Sequence, residues 1–453
     1  VTITRDLEAA NQAAAAVLAA AAAVRACPTD EADRPAFRYE APLGEQRAAN
    51  RFGGHPVSFA EGPELVDALR AIDERNEELR AFTFVDRDPR GAGPLVSVKD
   101  VIHVAGMPTR GGSQAYLANP ERDAIAVARL RAAGCRIVGK TETHEFALGV
   151  TTPQSRNPRD PSRLAGGSSG GAAIAVATGM SAIGLGTDTR ASIRVPAALC
   201  GVVGFKPTYG SVPVDGVVTL SWTMDHVAPI AATVGEAAAA MEILQGRSLG
   251  PCAGASVTGM RIGVVDAGFE GCDPEVVEAS EAGRRILEDA GVLTVSAKVL
   301  DAEALQLCNQ AGLVISRAES AAFHWARGTD VEALTDETAG QLEAADHLSA
   351  TDYLHAQRLR ALLGQRLASE AASLDLDAWL LPTAPVVAPL ASEAARYLTV
   401  LSRNAIPWSL IGLPAISVPA PCTGLPVGLQ LTAPTGGEAT LVALGFAVEK
   451  AQR

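Results

Sequence analysis

Pro94-Leu-Val-Ser-Val-Lys99, the periodic stretch 120–133 ended by Gly134, and Cys135-Arg-Ile-Val138 together decide the fold. The apolar run ahead of Lys99 has the length of a buried strand. Residues 120–133 predict a helix, closed by a glycine that accepts a left-handed φ without steric penalty. A second short strand follows at 135–138. Strand, helix and strand in succession predict an α/β protein with a mainly parallel sheet and helices on its faces. In such sheets functional groups gather where strands end, and Lys99 occupies one of those ends.

Working outward, residues 61–80 carry Leu65, Leu69, Ile72 and Leu79 at helical spacing, and Phe82-Thr-Phe-Val85 alternates like a strand. Residues 154–171 hold Pro158 and Pro161 without periodicity, so they predict a loop that delivers Ser168 and Ser169 to a small-residue helix at 172–178. Pro196 suits the first turn of a helix at 197–203. A helix at 234–244 leads into the Gly/Pro/Ser stretch 246–259, the best linker candidate. Strand, helix and strand are predicted at 260–265, 274–290 and 292–299, then helices at 301–326 and 350–373. Strands at 378–381, 415–418 and 428–431 return to the sheet before a closing helix at 438–452.

The chain has 453 residues, 48% of them hydrophobic and 20% charged, which excludes a disordered chain and provides a sizeable core. A net charge of −13 with scattered basic residues argues against a nucleic-acid partner, because phosphate binding needs clustered Lys and Arg. Seven cysteines without a C-x-x-C spacing read as reduced thiols of a cytoplasmic protein. The Ala-rich run 13–24 imitates a signal-peptide core, but Asp6 and Glu8 stand where a basic region belongs. It is too short to span a bilayer, so it predicts a helix lying on the body rather than a membrane segment.

Three polar side chains in this setting suggest chemistry. Ser192 follows Asp188-Thr-Arg-Ala191 and precedes a helix start, where backbone amides can face the oxygen of an attacked carbonyl. Ser168 sits in Gly166-Gly-Ser-Ser-Gly-Gly171, and Lys99 follows an apolar run whose burial would favour a neutral amine. Singly, each has a plainer explanation: an N-cap serine, a glycine linker, a surface lysine. Together they describe a serine amidohydrolase that needs no histidine.

Other motifs fit less well. Gly167-Ser-Ser-Gly-Gly171 matches the nucleophile elbow G-x-S-x-G with Ser169 attacking, but that elbow must follow a strand, and Pro158 and Pro161 precede it here. His226 beside Asp225 lacks a recognisable triad context. The glycine run has no Gly-Lys-Ser/Thr ending for a phosphate loop. His144-Glu145 opens like H-E-x-x-H, but Leu148 stands where the second histidine belongs, so no metal is expected.

From about residue 95 to 212 the chain resembles the amidase signature family. The likeness is carried by Val98-Lys99-Asp100, Gly139-Lys-Thr141, Glu145-Phe146, Thr152-Pro-Gln-Ser-Arg-Asn157, the glycine-serine run, residues 188–197 and Gly204-Phe-Lys-Pro207. It returns in Gly412-Leu-Pro-Ala-Ile-Ser-Val-Pro419 and Gly424-Leu-Pro-Val-Gly-Leu-Gln430. The resemblance implies an α/β amidase signature fold, with a large mixed, mainly parallel sheet covered on both faces by helices. It implies one domain over 1–453, with a signature core at about 94–245, the linker at about 246–259, a less typical helical region at about 260–374 and a sheet-completing segment at about 375–453.

It further implies a Ser-cisSer-Lys triad: Ser192 as nucleophile, Ser168 after a cis Gly167–Ser168 peptide as bridge, and Lys99 as base. Thr189, Arg190, Ala191 and Ser192 would form the oxyanion hole, with Asp188 and Ser169 in support. The expected reaction cleaves the C–N bond of a small or medium amide or carbamoyl compound through an acyl-enzyme, without a cofactor. Family relatives that supply ammonia to a partner enzyme keep a companion protein open, and a homodimer is open too.

One departure stands out. The family commonly has two glycines before the nucleophile, whereas this chain has Arg190-Ala191. A side chain at a position needing positive φ would add strain and could leave a catalytically silent or altered homologue. Alternatively, Arg190 reaches the pocket to pair with a substrate carboxylate, or turns away to a structural partner. Thr143, His144, Phe146, Trp222 and Met224 are candidate pocket walls.

Overall fold

The computed structural model describes residues 7–27, 58–59 and 62–452. Eleven strands among them form one sheet: β1 (Phe82–Val85), β2 (Leu95–Lys99), β3 (Arg136–Thr141), β4 (Ile183–Thr187), β5 (Val203–Lys206), β6 (Val227–Ala231), β7 (Arg261–Val265), β8 (Leu293–Ala297), β9 (Ala378–Pro382), β10 (Ala415–Pro419) and β11 (Gly428–Thr432). Their spatial order is β1-β3-β2-β4-β6-β5-β10-β11-β9-β7-β8.

The sheet is large and mixed, and parallel pairing does not dominate it. β2 lies parallel to β3 and β4, and β7 parallel to β8 and β9. The ladders from β4 through β6, β5, β10 and β11 to β9 are antiparallel, as is β1 on β3. The cause lies partly in the connections. Parallel neighbours need a crossover of a dozen or more residues, and the short link 420–427 between β10 and β11 allows only an antiparallel return. β4, β5 and β6, absent from the sequence expectation, supply the remaining antiparallel centre.

Strand periodicity sends alternate side chains of β2 to opposite faces. Val96 and Val98 join a core with Val127, Leu130, Met241 and Val442. Leu95 joins a second core, with Ile72, Ile174, Ile193 and Ala197. Helices therefore cover both faces. The Ala-rich segment forms the helix Leu7–Ala26, which buries Val17, Ala20, Ala21 and Val24 against Leu305, Cys308 and Leu363.

Several helix boundaries differ from expectation. The helix expected at 120–133 starts at Ile125, because the Ala124 and Ile125 amides are engaged by the carbonyls of His103 and Asp215. The one expected at 197–203 is Arg194–Cys200, closed by Gly201 at φ 74°, and residues 203–206 are β5 instead. Asp336–Ala345 is an additional helix, capped by Thr335. Residues 246–259 hold no helix or strand yet bury Leu249, Cys252 and Val257. All seven cysteines are free. Among the described residues, no helix is long and apolar enough to cross a membrane.

Candidate active site

Lys99 ends β2, a strand whose five residues are all buried, and its side chain has no solvent exposure. Because β2 and β4 run parallel with Val98 beside Leu185, the end of β4 lies next to the end of β2. Lys99 Nζ donates to Thr187 Oγ1 at 2.8 Å and to Ser168 Oγ at 2.7 Å. Burial disfavours the ammonium and lowers the pKa to about 7, against the opposing pull of the Asp188 and Asp225 charges.

Ser168 is placed by backbone that only glycine allows. Gly166 has φ 78°, and a Cβ on Gly167 would stand 1.9 Å from the Thr151 carbonyl oxygen. Thr152 Oγ1 donates to the Gly166 carbonyl at 3.1 Å and accepts from the Gly170 amide at 3.1 Å, clamping both ends of the turn. The Gly167–Ser168 peptide is cis. The Ser169 amide donates to the Ser192 carbonyl at 3.2 Å, which ties the two serine loops together. The Ser169 hydroxyl donates to the Thr187 carbonyl at 3.2 Å, so the side chain in direct support of Lys99 is Thr187.

The Ser192 loop connects β4 to the helix Arg194–Cys200, and Ser192 is buried with 5% exposure. Asp188 anchors it: its carboxylate accepts from the Ile193 amide at 3.2 Å, from Arg194 Nε and Nη2 at 3.0 Å each, and from Ser409 Oγ at 2.9 Å. Burial alone would raise this carboxyl, but the Arg194 charge and hydrogen bonds outweigh it and hold the group far below the usual carboxylate range. Arg194 also donates to Gln430 Oε1 on β11 and to the Ala405 carbonyl ahead of the helix Ile406–Ile411, binding the loop to the C-terminal part of the chain.

Thr189 Oγ1 donates to Asp225 Oδ1 at 2.6 Å, and Asp225 accepts the Leu220 and Ser221 amides at 3.0 Å. Burial raises this carboxyl to about 6 despite those donors. Positive φ at non-glycine positions among the described residues is confined to Arg80, Phe146, Ala147 and Asp375. Arg190 and Ala191 thus fit their loop without the strain that replacing glycines threatened. The Arg190 side chain is buried, and burial lowers its pKa to about 10.

His226 is engaged by backbone rather than by Asp225. Its Nδ1 lies 2.9 Å from the Asp188 carbonyl and its Nε2 3.3 Å from Lys206 Nζ. Of the candidate walls, Met224 is fully buried in the hydrophobic core beside Gly312, and Trp222 is 47% exposed. Phe146 is buried edge-to-face against Tyr116 and His324. Thr143 donates to the His144 carbonyl, and His144 Nε2 lies 3.4 Å from Glu337 Oε1. Burial opposes protonation of His144, but the Glu337 charge prevails and raises its pKa. Among the described residues, no group of three or more His, Cys, Asp or Glu is arranged to hold a metal.

Thr187, Arg194, Ser409 and Gln430 carry much of this geometry, and the sequence alone does not single them out. Thr187 and Arg194 flank the quoted loop, so asking what ends β4 beside Lys99, and what neutralises a buried Asp188, would have found them. Ser409 comes from a distant segment without a local signal, and Gln430, although it closes the motif 424–430, has no local signal that ties it to Arg194.

The amidase family model matches residues 67–442. An amidase of Pseudomonas putida is 37% identical over 435 residues, covering 86% of this chain and 92% of that protein. A glutamyl-tRNA(Gln) amidotransferase subunit of Koribacter versatilis (strain Ellin345) is 35% identical over 439 residues, covering 84% of this chain and 87% of that protein. A crystal structure of an amidase superposes with a TM-score of 0.75 at 35% identity, covering 85% of this chain and 95% of that one. The chain belongs to the amidase signature family.

Proposed function

We propose that this protein hydrolyses the C–N bond of a small or medium amide or carbamoyl compound through an acyl-enzyme on Ser192. The observation that carries this is the buried amine of Lys99, held 2.7 Å from Ser168 Oγ with its pKa lowered to about 7. An amine that is substantially neutral near pH 7 can take a proton from a serine, which an ordinary surface lysine cannot.

In this scheme Ser192 Oγ attacks the substrate carbonyl as its proton passes to Ser168, whose own proton passes to Lys99. Backbone amides of residues 189–192, in the loop fastened by Asp188 and Asp225, face the developing oxyanion. Collapse of the adduct breaks the C–N bond, and the relay returns the proton to the leaving amine or ammonia. Water then repeats the sequence on the acyl-enzyme and releases the acid. The experiment is ammonia and amine release across amides, ureas and carbamates, with Ser192→Ala as the blank. A fluorophosphonate adduct located at Ser192 by mass spectrometry supports the scheme, and equal turnover by Ser192→Ala overturns it.

The similarity to an amidotransferase component supports a second reading, in which the ammonia passes to a companion protein. Ammonia release restricted to glutamine or asparagine and dependent on a co-purifying protein selects it. Turnover of simple amides by the isolated chain selects hydrolysis.

A further inference from the structure

Arg190 is two residues before Ser192 and only 8% exposed, yet its Nε has no hydrogen-bond partner. Among the described residues, no carboxylate forms an ion pair with its guanidinium. Among the described residues the other buried lysines and arginines have acceptors: Lys99 has Ser168 and Thr187, Lys140 has Asp100, Arg194 has Asp188, Lys206 has the Leu413 carbonyl, Arg317 has Gln341 and Arg360 has Thr223. A buried charge that is neither paired nor hydrogen-bonded is strongly disfavoured, and among the described residues nothing supplies the anion that this guanidinium favours.

There is room for one. Arg190 lines a cavity of about 440 Å³ between the helices Leu7–Ala26 and Ala302–Arg327, a volume suited to a small ligand. One wall is formed by Ala16, Ala19 and Ala20, and the facing helix presents the neutral amides of Asn309 and Gln310. Two further charged residues reach the cavity without neutralising Arg190. Glu270 is exposed, and Arg403 is committed to the carbonyls of Gly268 and Glu270. Burial leaves Arg190 a pKa of about 10, so it is cationic at neutral pH. The planar guanidinium matches a carboxylate with two parallel hydrogen bonds.

We infer that this cavity is a subsite for a carboxylate carried by the substrate, with Arg190 as the group that recognises it. The preferred substrate class is then a short aliphatic amide or carbamoyl compound bearing a carboxylate. This deepens the hydrolytic scheme and rests on it for the identity of the ligand as substrate.

Binding separates the two claims. In Ser192→Ala protein, succinamate and glutaramate are titrated by calorimetry against their neutral diamides, which differ only in replacing the carboxylate by an amide. Each acid is expected to bind roughly tenfold to hundredfold more tightly than its diamide. Arg190→Gln in the same background is expected to bring the two to similar affinity. Gln310→Glu, which leaves Arg190 in place and puts a competing carboxylate in the cavity, is expected to cut the preference about tenfold, and it serves if Arg190→Gln does not fold.

No preference for the acid, no detectable binding of either partner up to millimolar concentration, or a preference that survives both substitutions overturns the subsite. Sulfate binding as tightly as the acids also overturns it, since the cavity is then a general anion site. Full turnover by Ser192→Ala strikes instead at the hydrolytic scheme and leaves the binding result to stand by itself.

Discussion

Lys99 Nζ sits between two hydroxyls, Ser168 Oγ at 2.7 Å and Thr187 Oγ1 at 2.8 Å, with no exposure to solvent. Those two contacts set different properties of the amine. Ser168 is the partner with which it exchanges a proton in the proposed relay, whereas Thr187 holds it in place.

The pH dependence follows from the neutral form being the active one. Burial brings the Lys99 pKa from 10.5 to about 7, so protonation inactivates the relay below that point. The expected kcat/KM rises about tenfold per pH unit below pH 7 and levels off above it. Lys99→Ala should lose most activity together with this limb. A wild-type rate that is flat between about pH 5 and 9 contradicts the assignment.

Thr187→Val removes one acceptor and keeps the side-chain shape. An ammonium gains more from a hydroxyl acceptor than a neutral amine does, so its loss favours the neutral form. The acid limb should shift to lower pH, and stability should fall by about 1 kcal/mol for the lost hydrogen bond. Paired pH–rate profiles and urea unfolding curves check both effects. An unmoved limb means that Thr187 does not set the protonation of Lys99.

Why Lys99, Ser168 and Ser192 were legible in the sequence while Thr187 was not is a matter of local signal. The three stand in glycine-rich or apolar segments of unusual composition. Thr187 ends β4, whose sequence Ile183-Gly-Leu-Gly-Thr187 lacks the branched run of a strand. Gly184 is there for packing: a Cβ would lie 2.9 Å from the Ala172 carbonyl oxygen of the covering helix Gly170–Ala177. Without β4, β5 and β6, whose mutual pairs are antiparallel through β6, the sequence pattern reads as a mainly parallel sheet. The cavity beside Arg190 is formed by helices far apart in the chain, so no local pattern announces it, although the Arg190-Ala191 departure marked its position.

Asp188 and Arg194 form an ion pair with both side chains fully buried, separated by 3.0 Å. Removing one partner strands the other's charge, so Arg194→Met should cost about 3–5 kcal/mol of stability. The acid response should change as well. Arg194 depresses the Asp188 pKa below its unfolded value, so the pair's contribution is present above about pH 4 and is lost as pH falls below it. In Arg194→Met that part of the acid destabilisation should disappear. Denaturant unfolding at pH 7 and pH 3 for both proteins gives the comparison, and a loss under 1 kcal/mol at pH 7 contradicts it.

The last prediction concerns Gly167, whose backbone passes so close to Thr151 that an added Cβ would meet that residue's carbonyl oxygen at 1.9 Å, its carbon at 2.2 Å and its Cα at 2.8 Å. Backbone atoms cannot swing aside as a flexible side chain can, so Gly167→Ala must displace either the 151–152 segment or the Ser168 turn. Both outcomes disturb Ser168, because Thr152 clamps the turn through the Gly166 carbonyl and the Gly170 amide. Overpacking of this kind costs typically about 1–3 kcal/mol, which a domain of this size can survive as a folded protein. The expected result is therefore folded Gly167→Ala protein with activity reduced by at least about a hundredfold, since a misplacement of about 1 Å can cost that much. Circular dichroism and thermal unfolding test the fold, and initial rates on the best amide test the site. Wild-type activity in folded Gly167→Ala protein would mean that the close approach to Thr151 does not position Ser168.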